Sequence, residues 1–179
     1  MPRKYELVVT SLLASMAILF TLAKLQVPYP LIPFLKFDLA EIPSVLALLA
    51  CNLYSAIAVA IIHFLFLNFR GEFVPIGPFM KLLAVLSTIL GLRLVRSYIK
   101  KNGMLSYLVI IVPMLTRVLV MELANVLTLI FLLPYLLQFL DLKMYIIHVA
   151  IFNAIHTILV IVPSKLLEKY VHSLQKIYH

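Results

Sequence analysis

Polar side chains able to do chemistry are concentrated in two apolar runs of the sequence. TRVLVMELANVLTLIFLLP holds Arg117, Glu122 and Asn125, and HVAIFNAIHTILVIVP holds Asn153 and His156. At about 100° per residue the first three fall on one broad helical face, with Glu122 and Asn125 one i,i+3 step apart, as are Asn153 and His156. Ionisable and amide groups in such apolar runs are costly to bury, so each implies a ligand or a partner on a neighbouring helix. The plainer reading makes Arg117 and Glu122 ion-pair partners of neighbouring helices, and the two asparagines glue between helices. A metal site is poorly served. His148 and His156 lie eight residues apart with no H-x-x-x-H pair, and the only aspartates, Asp38 and Asp141, sit at helix boundaries. No residues are assigned a catalytic or metal-binding role.

A third stretch, FLKFDLAEIPSVLALL from Phe34 to Leu49, puts Lys36, Asp38, Glu41 and Pro43 in equally apolar surroundings. Asp38-Leu39-Ala40-Glu41 has the form of a capping box, with Asp38 accepting from the first backbone N–H groups and Glu41 reaching back to the cap. Pro43 then falls in the first turns, where little hydrogen bonding is lost. Lys36 has a stem long enough to snorkel to headgroups. The segment before it, VPYPLIPFLKF, carries Pro28, Pro30 and Pro33 yet is apolar, so it should pack on something, as a lid over a pocket does.

The elements that hold these residues follow from composition. The chain has 179 residues, 64% hydrophobic and 12% charged, and its mean hydropathy is +1.12. A soluble domain carries about 25% charged residues, and the apolar runs here recur from end to end, so this is an integral membrane protein. Helices of about 20 residues cross a bilayer core. On that ruler six spans are expected, near Tyr5 to Leu25, Leu39 to Cys51, Leu53 to Asn68, Pro75 to Tyr98, Met104 to Leu136 and Lys143 to Tyr170. Together they form one all-α domain over 1–179. The first is read as a retained helix because its apolar core is too long for a signal peptide. The second and third are short enough to be one bent helix, and Pro113 should kink the fifth or mark its entry.

With six spans, Arg3, Lys4, Arg93, Arg96, Lys100, Lys101, Lys165, Lys169 and Lys176 share one side. Lys24, Lys36, Arg70, Lys81 and Lys143 share the other. The first side, with both termini, should be cytoplasmic, and the net charge of +8 reflects this bias instead of nucleic-acid binding. Asn125 and Asn153 then both lie about 13 Å below the outer surface. The lone Cys51 excludes an internal disulfide. No G-x-x-x-x-G-K-[ST] occurs, so any coupling to ATP must come from partners.

Short-looped spans and FLKFDLAEIPSVLALL resemble the substrate-binding S components of energy-coupling factor (ECF) vitamin transporters, which carry a Leu-x-Asp-(Leu/Phe)-(Ser/Ala)-(Asp/Glu)-Ile-Pro motif at the first loop and second helix. FLKFDLAEIP is most similar to the riboflavin-binding type. GPFMKLLAVLSTIL, from Gly77, resembles the opening of that type's fourth helix, and FNAIHTILVIVPSKLL its last. The resemblance implies a six-helix bundle in the cell membrane that binds a vitamin and is not an enzyme. It implies no cofactor, riboflavin being the transported ligand, and uptake through a T subunit and two ABC ATPases. An asparagine and a lysine three residues apart on the last helix contact the ligand in the riboflavin type. These positions read Asn153 and His156 here, and Asn125 matches an asparagine of the fifth helix. Leu35, Lys36, Phe37, Asp38, Phe79, Lys81 and Glu122 complete the expected ligand-binding set. Where the family has Ala-x-x-x-Ala on helix 1 facing the T subunit, this chain has Thr10, Ser11, Ala14, Ser15 and Ala17. Ser11 with Ser15, or Thr10 with Ala14, keeps the small-xxx-small geometry.

Riboflavin is uncharged, with a planar ring and a hydroxylated tail, and suits apolar walls with a few neutral polar groups. Absence of tryptophan argues against a thiamin-type pocket, whereas Lys36, Lys81 or Arg117 would suit an anionic vitamin. The rival classes are a structural or assembly subunit of a membrane complex and a proton or ion pathway along Arg117, Glu122 and His156.

Overall fold

The computed structural model describes residues 3–70, 73–102, 107–132, 134–135 and 141–177. The chain forms α1 (Arg3–Leu22), a hairpin of β1 (Gln26–Tyr29) and β2 (Ile32–Asp38), and a 3-10 turn (Leu39–Glu41) leading into α2 (Ile42–Ala50). Then follow α3 (Leu53–Arg70), α4 (Ile76–Asn102), α5 (Leu108–Leu127) with a π-helical turn (Thr128–Leu132), and α6 (Leu142–Ile177). The expected ends of the fifth span, Met104 and Leu136, lie outside the described residues.

Five helices among the described residues are long and apolar enough to cross a membrane. Their outward faces expose large apolar side chains at helical spacing, such as Leu115, Leu119 and Leu123 on α5 and Ile147, Ile151 and Ile155 on α6. A continuous apolar surface of this kind belongs against lipid, and the protein is a multi-pass membrane protein. The sixth expected span differs. Leu39–Ala50 is a short apolar helix, and every residue from Ile42 to Ala50 is buried. It packs among α1, α3, α4 and α6 and forms the centre of the main core with Ala17, Val59, Ile89 and Val160. Helices α2 and α3 are separate, so the bent-helix alternative is excluded.

Polar contacts show the alternation of the chain. Arg96, late in α4, donates to the carbonyls of Leu48 and, at 2.7 Å, Leu49, which closes the C-terminal end of α2. It also lies 3.9 Å from Glu168, late in α6. At this end Asn52 donates to Glu6 of α1 at 3.1 Å and accepts from the Ser55 N–H. The starts of α1 and α3 and the ends of α2, α4 and α6 therefore share one pole, and the hairpin lies at the other. Pro113 sits inside α5. It packs on α4 at Gly91, where an added Cβ would fall 2.5 Å from Pro113 Cα and also strike Thr116 Oγ1.

The segment expected as a loop is an antiparallel hairpin, pairing Val27 with Phe37 and Pro28 with Lys36, with a bulge between Pro28 and Tyr29. The fold is thus not wholly α. Prolines normally argue against a strand, but each strand of a two-stranded ribbon has a free edge where a missing N–H costs nothing. The hairpin packs as expected for an apolar segment. Tyr29 and Ile32 are buried against Leu129, Tyr145, Val149 and Phe152.

Candidate functional site

At the foot of the hairpin, Asp38 ends β2 in extended conformation and accepts the Ala40 N–H at 2.7 Å. This is the expected half of the capping box. The other half is absent, because Glu41 points away from the cap into the bundle and pairs with Arg117 of α5. Arg117 Nη1 lies 2.6 Å from Glu41 Oε2 and Nη2 lies 3.3 Å from Oε1. Both side chains are 2% exposed. The remaining guanidinium donors go to Asn153 Oδ1 at 3.1 Å, Thr88 Oγ1 at 3.3 Å and His156 Nδ1 at 3.0 Å. The expected ion pair of Arg117 is therefore with the short helix, and not with Glu122. Neither carboxylate oxygen of Glu122 has a hydrogen-bond partner among the described residues.

His156 is fixed by two neighbours. A guanidinium can only donate, so Nδ1 accepts from Arg117. Nε2 lies 3.1 Å from the Asp38 backbone nitrogen and 3.2 Å from its carbonyl oxygen. The imidazole thus ties α6 to the end of β2. Lys81 of α4 forms an ion pair with the Asp38 carboxylate. Two carboxylates and two cations therefore pair off within one buried cluster, leaving these four charges balanced. On the side of α1, His63 of α3 is buried and lies 2.8 Å from Thr21 Oγ1.

Above this polar floor lies an aromatic layer. Phe37 stacks on Phe152 at 4.8 Å and 28° between planes, and stands edge-on to His156 and Tyr29. Tyr29 Oη lies 3.2 Å from His148 Nδ1. Leu35 packs against the same layer, and Lys36 beside it is half-buried.

The structure brings Asp38, Phe37, Lys81, Asn153 and His156 together, with Arg117, Glu41, Thr88, Phe152 and Tyr29 as additions that were not assigned to the site from sequence. It does not bring Asn125 to Asn153. Asn125 accepts from the Tyr145 hydroxyl at 2.8 Å and donates to its own Met121 carbonyl. Arg117 with Asn153 makes one rung between α5 and α6, and Asn125 with Tyr145 makes another. The rungs are eight residues apart on both helices, or about 12 Å. The expected equal depth of the two asparagines does not hold. Phe79 is 52% exposed and lines a different space. This is an open apolar cleft of about 660 Å³ between α3, α4 and α5, walled also by Phe64, Met80, Leu127, Thr128 and Phe131.

On α1, Ala14 and Ala17 are enclosed in this chain's own core. Thr10 is half-buried, with its hydroxyl donated to the Glu6 carbonyl at 2.6 Å. Only Ser11 and Ser15 stay on the outward face, each hydroxyl donated one turn back along the helix. Of the two small-xxx-small pairs, Thr10 with Ala14 thus turns inward and Ser11 with Ser15 outward. Among the described residues no three His, Cys, Asp or Glu side chains gather as metal ligands.

A solved structure of the S component of a bacterial ECF transporter superposes on this chain with a TM-score of 0.74. The match covers 97% of this chain and 99% of that one, at 24% sequence identity. The chain has the fold of an ECF S component. No protein-family model matches the sequence, and no curated protein matches it. An S-component fold built around a short buried helix puts the Asp38–Glu41 turn at the junction of hairpin, α4, α5 and α6. Asp38, Glu41, Lys81, Thr88, Arg117, Asn153 and His156 meet there.

Proposed function

We propose that this protein is the ligand-binding S component of an ECF-type importer, and that it captures a vitamin, riboflavin in the first instance, from the external side of the cell membrane. The observation that carries this reading is the charge-balanced cluster of Arg117, Glu41, Lys81 and Asp38 beneath an aromatic layer at the hairpin. Such a place favours an uncharged ligand with a flat ring, because an anionic vitamin would need a cation not already neutralised. Asn153, His156, Lys36 and Leu35 are the side chains proposed to meet the ligand, with Asn125 and Glu122 further along α5 reaching a hydroxylated tail. The whole chain acts as one domain. The pole with Lys4, Arg93, Arg96, Lys165 and Lys169 is cytoplasmic by the positive-inside rule, which places the hairpin outside. Energy comes from partners, a T subunit and two ABC ATPases, since the sequence contains no phosphate-binding loop. Ser11 and Ser15 on the outward face of α1 are the part of the small-residue set proposed to meet the T subunit.

The test is direct. Protein purified in detergent from flavin-containing cells should be yellow, and the ligand-free protein should quench riboflavin fluorescence on titration. A colourless protein that quenches nothing refutes the riboflavin assignment, and binding of a different vitamin in the same assay keeps the S-component reading. Replacing Asn153 by Ala should weaken binding more than about tenfold, the cost of a buried polar contact to ligand.

A further inference from the structure

The hairpin does not roof an empty chamber. The place where a flat ring would lie, against the face of Phe152 and over the edge of His156, is filled by the ring of Phe37. Its geometry is what a bound aromatic ligand would show. Phe37 and Phe152 are offset-stacked at 4.8 Å and 28°, while His156 and Tyr29 meet the ring at 5.7 Å and 6.0 Å, both nearly perpendicular. We infer that Phe37 is an internal stand-in for a planar heteroaromatic ligand, and that binding requires β2 to lift at Asp38 and withdraw this ring from its seat. The inference rests on the reading of the chain as a ligand-binding subunit.

The two sides of the seat differ in how firmly they are held. Phe152 and His156 belong to α6, and His156 is fastened to Arg117 at 3.0 Å. Phe37 rides on a ribbon with only two strands and a bulge. Asp38, the next residue, is anchored by its contact with Ala40 and its ion pair with Lys81. A break in stiffness thus falls between Phe37 and Asp38. A ligand ring stacking on Phe152 would regain the contacts that Phe37 gives up, so the cost of the exchange is that of moving the ribbon, with Tyr29 and Ile32 packed against α6.

A stand-in and a wall predict opposite results when Phe37 is truncated. In the full-length protein in detergent, Phe37→Ala should speed riboflavin association, read by stopped-flow quenching, about tenfold or more with affinity equal or tighter. Weaker binding through faster dissociation, with association unchanged, would make Phe37 a wall of the site and overturn the inference. A ligand-independent arm uses indole as a bare planar ring. At about tenfold excess over its dissociation constant it should raise the melting temperature of Phe37→Ala by about 3 °C, and leave the parent protein unchanged. No shift in Phe37→Ala overturns the seat. If indole shifts the variant but riboflavin binds neither protein, the seat stands and the riboflavin assignment falls. Should Phe37→Ala fail to fold, Phe37→Leu carries both measurements, since it keeps apolar volume without a flat ring.

Discussion

Replacing Glu41 by Gln tests the central claim that the short helix is held by a buried charge pair. The substitution preserves shape and one acceptor oxygen but leaves Arg117 cationic, 1% exposed, with Asn153, Thr88 and His156 as its remaining partners. Two unit charges about 4 Å apart attract by about 4 kcal/mol at an effective dielectric constant near 20. Breaking a buried pair by removing one partner costs about 3–5 kcal/mol in measured cases, which agrees. For a chain of this size each kcal/mol moves the melting temperature by about 2–4 °C, so a fall of roughly 6–20 °C is expected. The sequence has no tryptophan, so unfolding in detergent is best followed by far-ultraviolet circular dichroism. The control is Glu41→Gln combined with Arg117→Met, which removes both charges and should be more stable than the sum of the single losses by about 2 kcal/mol or more. A single Glu41→Gln variant within about 1 kcal/mol of the parent, or additive losses in the double variant, would refute the pair as the fastening of α2.

Three further outcomes are expected. Gly91→Val should separate α4 from α5 where Pro113 backbone leaves no space, costing about 1–3 kcal/mol, and Gly91→Ala should cost less; both are read as melting temperatures. Arg96→Met should leave the Leu48 and Leu49 carbonyls without their donor and lower stability by about 1–3 kcal/mol, with faster hydrogen exchange at the Cys51 end of α2 and no change in ligand affinity. Tyr145→Phe deletes the hydroxyl donated to Asn125 and should cost about 1 kcal/mol of stability. If Asn125 also meets the ligand, the same change should alter affinity, and unchanged affinity confines Asn125 to joining α5 and α6.

Several features were legible in the sequence because they depend on one segment at a time. Apolar runs of helical length announced α1, α3, α4, α5 and α6, and Asp38 announced the start of the 3-10 turn that leads into α2. Asn153 and His156 were recognisable as inward-facing because polar groups at that depth need partners. What escaped were relations between distant segments. A capping box and a buried ion pair use the same Glu41, and only the position of Arg117, 76 residues away, decides between them. Proline-rich VPYPLIPFLKF hid its pairing, since a free ribbon edge tolerates prolines that a sheet interior would reject. The expected equal depth of Asn125 and Asn153 failed because counting from helix ends ignores how α5 and α6 slide along one another.

The enclosure of α2 has a consequence for how the protein is made. With Ile42 to Ala50 covered by protein on all sides, this segment is too short to cross a bilayer alone, and as it leaves the ribosome Glu41 has no cation to meet. Arg117 arrives only with α5, and His156 later with α6. Stable seating of α2 must therefore wait for α5, and α3, which starts at the pole where α2 ends, reaches its final place only together with it. Reporter fusions truncated soon after Ala50 would report a chain in which that helix has not yet gone in.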